Sequence, residues 1–316
     1  MLVLRSMLFV PGNNMRMIVK AATLASDAII LDLEDAVALP DKATARVILR
    51  DSIKAIKQGG AYVFVRVNAL STNLTAEDLK FVTVAGLDGI MLAKAETKSD
   101  MAELDRMVGE IEKGSGLELG SVKVIPQVES AKGIVNVCEI ASASERVIAV
   151  AFGSGDYYRD LGRNISSLSP QQTELLYASS QIVNCSVAAG VQPIDTVFFG
   201  LLTDTEGFTQ ETTLASQLGF KGKLLVHPSQ IEIANTIFAP SPSEVDYARR
   251  LVVAFEEAQA KGMGAVSFEG KMIDYMSYQQ AKGLTSFAEA IDLKEEKRQH
   301  VPYISLSQFF MSERHT

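Results

Sequence analysis

Cysteine is scarce in this sequence. Cys138 and Cys185 are the two it contains, too few for a disulfide framework. Each lies in an apolar, helix-like stretch and reads as a buried, inert thiol. Histidine occurs three times, and no cysteine–histidine cluster has the spacing of a zinc site. Basic charge is not in excess either. The formal net charge is −8, which argues against a nucleic-acid surface but allows an anionic ligand, because local charge can oppose the net value. No apolar run approaches the roughly 18 residues of a membrane span. The apolar start is interrupted by Arg5 and ended by Pro11-Gly12, too short for a secretory signal. Together these absences predict a protein of the cytoplasm, with no nucleic-acid or membrane partner. There is no glycine-rich phosphate loop, no G-x-S-x-G elbow and no internal repeat.

What is present is an alternation. Eight short apolar runs cover residues 4–10, 28–33, 62–67, 89–93, 122–128, 147–152, 193–199 and 223–226. They are apolar and β-branched at consecutive positions, the sign of strands buried on both faces. Longer amphipathic segments lie between them, including 41–57, 99–112, 172–189 and 206–218. Eight such alternations predict a (β/α)8 TIM barrel of the α/β class. An open doubly wound sheet is the rival, but it usually has fewer strands and often a glycine-rich first turn, which Pro11-Gly12-Asn13-Asn14 is not. The barrel is expected over residues 1–240. Residues 241–316 then form a C-terminal helix (about Ser243 to Lys261), a distinct segment over 262–283 and a charged, solvated helix over 292–300. A closing stretch with Tyr303, Ile304, Leu306, Phe309 and Phe310 either docks on a neighbouring subunit or frays.

Nearly every predicted strand ends in polar residues: Asp32-Leu33-Glu34-Asp35, Arg66-Val67-Asn68, Lys94-Ala95-Glu96, Gln127-Val128-Glu129-Ser130, Gly153-Ser154-Gly155-Asp156 and His227-Pro228. In a barrel these ends meet at one mouth, where catalytic groups are placed. Glu129 and Asp156 end consecutive strands, and adjacent strands lie roughly 5 Å apart. Two carboxylates that close repel unless a cation or proton intervenes. With no soft ligand nearby, an oxygen-only site favours Mg2+ or Mn2+. Against this stands the simpler reading that each acid caps the helix after it. Arg66, closing an apolar strand, needs an anion: Glu34 or Asp35 internally, or a substrate carboxylate or thioester oxygen. Lys94 neutralises Glu34 or Asp32, contacts substrate, or forms a Schiff base, although a metal electrophile makes the last unnecessary. His227 is either a general base or a structural histidine.

The ordered motifs carry a resemblance. They are Arg5-Ser6-x-Leu8-Phe9-Val10-Pro11-Gly12, Leu31-Asp32-Leu33-Glu34-Asp35-Ala36-Val37, Arg66-Val67-Asn68, Pro126-x-x-Glu129-Ser130-Ala131-x-Gly133, Phe152-Gly153-x-x-Asp156, Gly222-Lys223-x-x-x-His227-Pro228-x-Gln230-Ile231 and Gly270-Lys271-Met272-Ile273-Asp274. The chain thereby resembles the citrate lyase β-subunit-like proteins of the HpcH/HpaI aldolase superfamily, on the side of the citramalyl-CoA and malyl-CoA lyases. The resemblance implies that Glu129 and Asp156 bind Mg2+ and that Arg66 binds substrate beside it. It makes Asp274 an acid/base on a lid, often completing a neighbouring subunit's site in a trimer or hexamer. It places Lys42 and Arg46 on the phosphates of coenzyme A. The implied reaction is cleavage or formation of a 3-hydroxy-acyl-CoA, giving a 2-oxo acid and acetyl-CoA. Glu34, Asp35 and Lys94 then border the substrate. The alternatives are the citryl-acyl-carrier-protein lyase β subunit of a citrate lyase complex, or a non-catalytic barrel that binds metal or coenzyme A. Two departures stand out. Leu92-Ala93-Lys94 replaces the family's Leu-Pro-Lys, and Tyr157-Tyr158-Arg159 follows Asp156 where small residues are usual.

Overall fold

The structure is a computed structural model that describes residues 2–169 and 172–299. Its described residues divide into two compact units: residues 4–235, and residues 236–299 with Leu2 and Val3.

In the first unit the eight apolar runs form strands: β1 (Ser6–Pro11), β2 (Ala28–Asp32), β3 (Tyr62–Val67), β4 (Gly89–Leu92), β5 (Lys123–Val128), β6 (Ala149–Phe152), β7 (Gln192–Asp195) and β8 (Gly222–Leu225). Each pairs in parallel with the next, and β8 closes on β1. Ile29, Ile30, Leu31, Val63, Val65, Ile90 and Met91 are fully buried, as expected of strands with a packed lumen inside and helices outside. The helices are α1 (Met15–Ala21), α2 (Lys42–Lys57), α3 (Thr75–Val82), α4 (Lys98–Ser115), α5 (Ala131–Val135), α6 (Val137–Ala141), α7 (Ser154–Asp160), α8 (Leu176–Ala188), α9 (Thr205–Leu218) and α10 (Ile231–Ile237). Their ends follow capping rules. In α4, Thr97 and Asp100 form a capping box and Gly116 ends the helix at φ +69°, a conformation that suits glycine.

Two expectations for this unit change. The seventh run, read over 193–199, ends as a strand at Asp195. Val197, Phe198 and Phe199 continue the apolar pattern but belong to the following loop, where Phe198 packs edge-on against Phe208. Cys138 in α6 and Cys185 in α8 are joined by a disulfide and are not two inert thiols. A single bond needs no framework, so the cysteine count could not exclude it. Among the described residues no helix is long and apolar enough to cross a membrane.

The second unit holds α11 (Pro242–Ala260), a hairpin of β9 (Val266–Phe268) and β10 (Lys271–Ile273), and α12 (Tyr275–Gln299). Its core is Ala248, Leu251, Phe255, Ile273, Tyr278 and Ala281, with Phe255 stacked on Tyr278 at 4.8 Å. The charged stretch near residue 292 is not a separate helix but the last turns of α12, which starts at Tyr275. The closing stretch with Phe309 and Phe310 lies outside the described residues.

Candidate active site

The barrel register places Asp32 directly across from Arg66 on the adjacent strand. Arg66 Nε and Nη2 donate to the two Asp32 oxygens at 2.7 and 2.6 Å, a fork-to-fork geometry that fixes the guanidinium plane. Its Nη1 lies 3.2 Å from Glu34 Oε2, and the Phe9 ring sits 4.7 Å beneath. Burial alone would lower the Arg66 pKa, but the Asp32 hydrogen bonds and the charges of Asp32, Glu34 and Glu129 raise it, so it stays a cation. Asp32 is held below the usual carboxylate range: burial opposes ionisation, and Arg66 with the Glu34 and Ala36 backbone amides outweighs it.

Lys94, just after β4, bridges the mouth. Its backbone is left-handed at φ +51°, a conformation that costs a non-glycine residue about 1 kcal/mol or more. That strain aims its amide at Glu129 Oε1, 2.8 Å away. Its ammonium lies 2.6 Å from Glu34 Oε1 and 3.4 Å from Asp156 Oδ2. Although burial opposes it, the bond to Glu34 and the surrounding acids raise the Lys94 pKa. An amine kept protonated is a poor nucleophile, which weighs against a Schiff base.

Glu129 follows β5 and is 5% exposed. Besides the Lys94 amide it accepts from Gln127 Nε2 at 3.0 Å. Burial first, then the charges of Glu34 and Asp156, push its carboxyl up to about 8, although Arg66 and the Lys94 amide pull the other way. Asp156 sits not at the end of β6 but in the first turn of α7. Its Oδ1 accepts from Arg159 at 2.6 Å. Glu129 and Asp156 thus converge on Lys94, and the Asp156 charge bears on the Glu129 carboxyl. Gly153 is what allows it: a Cβ there would lie 2.4 Å from Glu129 Oε2.

Does this arrangement fit a hard divalent cation? A buried glutamate with a strongly raised pKa beside a second carboxylate is a pair in want of positive charge. The donors are oxygens, as Mg2+ prefers. The Gln127 Oε1 atom is also buried without a partner among the described residues, a spare acceptor for a metal-bound water. No group of three or more acidic, histidine or cysteine side chains forms a closed cage among the described residues. A two-carboxylate site leaves positions for substrate and water. The residues fit.

The other expected site residues fall elsewhere. Asp35 is exposed. Lys42 is turned inward, donating to the carbonyl oxygens of Leu33 and Glu34 at 2.6 and 3.0 Å. Arg46 pairs with the fully buried Asp78 at 2.7 Å. Both basic side chains are committed to internal acceptors in this structure and are not presented as a phosphate groove. His227 caps a short 3-10 helix, its Nδ1 accepting the Ser229 amide, which is a structural role. Asp274 is in the second unit, exposed, and its Oδ1 accepts the Ser277 amide and hydroxyl at 2.8 and 2.9 Å. Those bonds lower its pKa, opposite in direction to the raised value expected of a proton donor under a closed lid. The sequence reading placed Gln127 at the mouth but gave it no role. The signal was available, since it is a polar residue inside an otherwise apolar strand.

A closed (β/α)8 barrel whose mouth gathers acids, an arginine and a lysine defines a barrel enzyme. The HpcH/HpaI aldolase/citrate lyase family model matches residues 5–228, and the chain belongs to that family, as a carbon–carbon lyase. The citrate lyase subunit beta of Leuconostoc mesenteroides subsp. cremoris is 39% identical over 94% of this chain and 97% of its own length. A (3S)-malyl-CoA thioesterase of Cereibacter sphaeroides is 33% identical over 91% of this chain and 95% of its own. Among solved structures, CitE from Mycobacterium tuberculosis in complex with magnesium, acetoacetate and coenzyme A superposes with a TM-score of 0.69 at 30% identity, covering 90% of this chain and 97% of that one.

Proposed function

We propose that this chain cleaves, or forms, a 3-hydroxy-acyl thioester such as citramalyl-CoA or malyl-CoA, releasing a 2-oxo acid and acetyl-CoA. The observation that carries this reading is the buried Glu129 beside Asp156 and Arg66. Glu129 and Asp156 would hold Mg2+, as the magnesium-bound M. tuberculosis relative supports. When bound, the ion supplies a Lewis acid that makes a coordinated hydroxyl more acidic.

The chain's own residues do the rest. Arg66, fixed by Asp32, presents a rigid cation where negative charge grows on the substrate as the C–C bond breaks. Lys94 balances Glu34 and Asp156, so the mouth does not repel an anionic substrate. Asp274 would deliver a proton from its carboxyl to the departing thioester carbon, or remove it in the synthetic direction. This role requires the Ser277 bonds to open and water to leave. It fits a lid that completes the site of a neighbouring copy in a trimer or hexamer. Because Lys42 and Arg46 point inward, the coenzyme A phosphates would need other partners.

A second reading is favoured by the relatives' identities: 39% to a citrate lyase subunit beta against 33% to the malyl-CoA thioesterase. On that reading the substrate is a citryl thioester carried on an acyl-carrier protein. The test is 2-oxo acid release from malyl-CoA, citramalyl-CoA and citryl-CoA, with Mg2+ and with chelator. Metal-dependent release from at least one is expected, with most turnover lost in Asp274→Ala and metal binding kept. No release from any of them, together with no Mg2+ binding by calorimetry, refutes the lyase reading and leaves the non-catalytic barrel.

A further inference from the structure

We infer that Arg159 and Arg163 form an anion subsite beside the active centre, which takes a second carboxylate on the oxo-acid half of the substrate. The inference rests on the lyase reading above, favours its second substrate, the citryl thioester, over citramalyl-CoA and malyl-CoA, and adds the residues that choose between a dicarboxylic and a monocarboxylic product.

The cations already described at the mouth are spoken for. Arg66 is locked by Asp32 and Glu34, and Lys94 by Glu34 and Asp156. Neither can leave its partners without exposing a buried acid. One turn further along α7 the position is different. A cleft of about 520 Å³ opens there, lined by Gly155, Arg159, Gly162, Arg163, Asn164, Ile165 and Phe199. Arg159 reaches Asp156 Oδ1 at 2.6 Å with a side chain 78% exposed. Its guanidinium therefore touches the carboxylate proposed to hold the metal, and most of its donor face is open. Glu174 senses the charge of Arg163, yet the Arg163 side chain closes no ion pair among the described residues. Two guanidinium groups line one cleft, Arg159 largely open and Arg163 in no ion pair among the described residues, and such groups suit a carboxylate with bidentate geometry.

The same lining includes apolar groups. The Phe199 ring packs so close to Gly155 that a Cβ there would meet it at 2.9 Å, and Ile165 also lines the cleft. A substrate whose oxo-acid half ends in a methyl group or hydrogen would gain from Phe199 and Ile165 alone. One that ends in a carboxylate would gain both arginines. Arginines this exposed stay solvated when the carboxylate is missing, so the discrimination is the gain from the charge-assisted hydrogen bonds themselves, about 10- to 100-fold for each. The subsite therefore predicts selection for the citryl-type thioester, whose oxo-acid product carries two carboxylates, over the citramalyl and malyl types.

The test is a selectivity ratio with a binding readout beside it. kcat/KM is measured for citryl-CoA and citramalyl-CoA with saturating Mg2+ in the wild type, Arg159→Gln, Arg163→Gln and Arg159→Lys. Oxaloacetate and pyruvate are titrated into each Mg2+-loaded protein by calorimetry, and Mg2+ itself is titrated first. We expect a wild-type preference for citryl-CoA of about 10²-fold, the gain from charge-assisted hydrogen bonds to one carboxylate. In the glutamine variants it should fall toward parity through a raised KM, with partial recovery in the lysine variant. Oxaloacetate affinity should fall in parallel while pyruvate affinity stays level. Equal losses on both thioesters, or a loss of Mg2+ affinity that accounts for the whole effect, would show that Arg159 only braces Asp156. If the wild type does not discriminate in turnover or binding, the subsite is overturned. Absence of any thioester cleavage together with tighter binding of oxaloacetate than of pyruvate would overturn the lyase reading and leave the subsite standing.

Discussion

Gly153 is the position where one added carbon should decide whether the centre assembles. Its φ is −102°, so alanine there meets no left-handed penalty, and the effect of Gly153→Ala comes from its Cβ alone. That atom would lie 2.4 Å from Glu129 Oε2 and 2.6 Å from Glu129 Cβ, where ordinary contact begins at 3.4 Å. Glu129 must therefore move by about 1 Å, a misplacement on the scale that costs about 10²-fold in rate, or about 2.7 kcal/mol. A second route gives a similar figure. The move breaks a bond from either the Lys94 amide or Gln127, and a hydrogen bond to a charged group contributes about 1.5–3 kcal/mol. The assay is Mg2+ affinity by calorimetry, 2-oxo acid release, and a thermal melt to confirm folding. Gly155→Ala serves as the control, because its Cβ would meet only the movable edge of Phe199 at 2.9 Å, so its Mg2+ affinity should stay closer to wild type. A folded Gly153→Ala protein with unchanged Mg2+ affinity and turnover would refute the reasoning that Glu129 must sit where it does.

Two further predictions concern stability. Glu112 is fully buried and accepts from Arg146 at 2.6 and 2.8 Å and from two backbone amides at 2.9 Å. Burial opposes ionisation, but those bonds outweigh it and hold the carboxyl below its reference value of 4.5. The folded state thus binds fewer protons than the unfolded one, so the group's contribution is full above the unfolded value and is lost as pH falls through the folded one. Glu112→Gln leaves Arg146 with its other partner, Asp105. It should lose up to about 3–5 kcal/mol at pH 7 and show a flatter stability–pH slope below pH 4.5 in denaturant titrations; an unchanged slope contradicts the assignment. The Cys138–Cys185 bond spans a sequence separation of 47, for which loop-closure entropy predicts about 4 kcal/mol. Thiol reductant or Cys185→Ser should lower the denaturation midpoint accordingly, and two titratable thiols in native protein would contradict the bond.

The barrel was legible because strands buried on both faces must be apolar at consecutive positions. The same rule misled at residues 197–199, where Phe198 and Phe199 are apolar for packing in a loop. The acids at the mouth were legible because strand ends in a barrel converge wherever they lie in the sequence. Glu34 was legible as a partner of both Arg66 and Lys94, but other partners were not. Asp32, the fork for Arg66, required the β2–β3 register, and the pairing of Arg46 with Asp78, 32 residues away, could not be read from either residue alone. The cysteine pair was hidden in the same way, since only packing brings α6 and α8 together.

Residue 94 addresses three carboxylates through two separate handles, a backbone N–H for Glu129 and an ammonium for Glu34 and Asp156. An alanine scan deletes only the second. Such a scan would score this position as a lost charge and record nothing of the amide, which an ester linkage in the main chain would remove; proline would not serve, because its ring cannot adopt the φ of +51° found here.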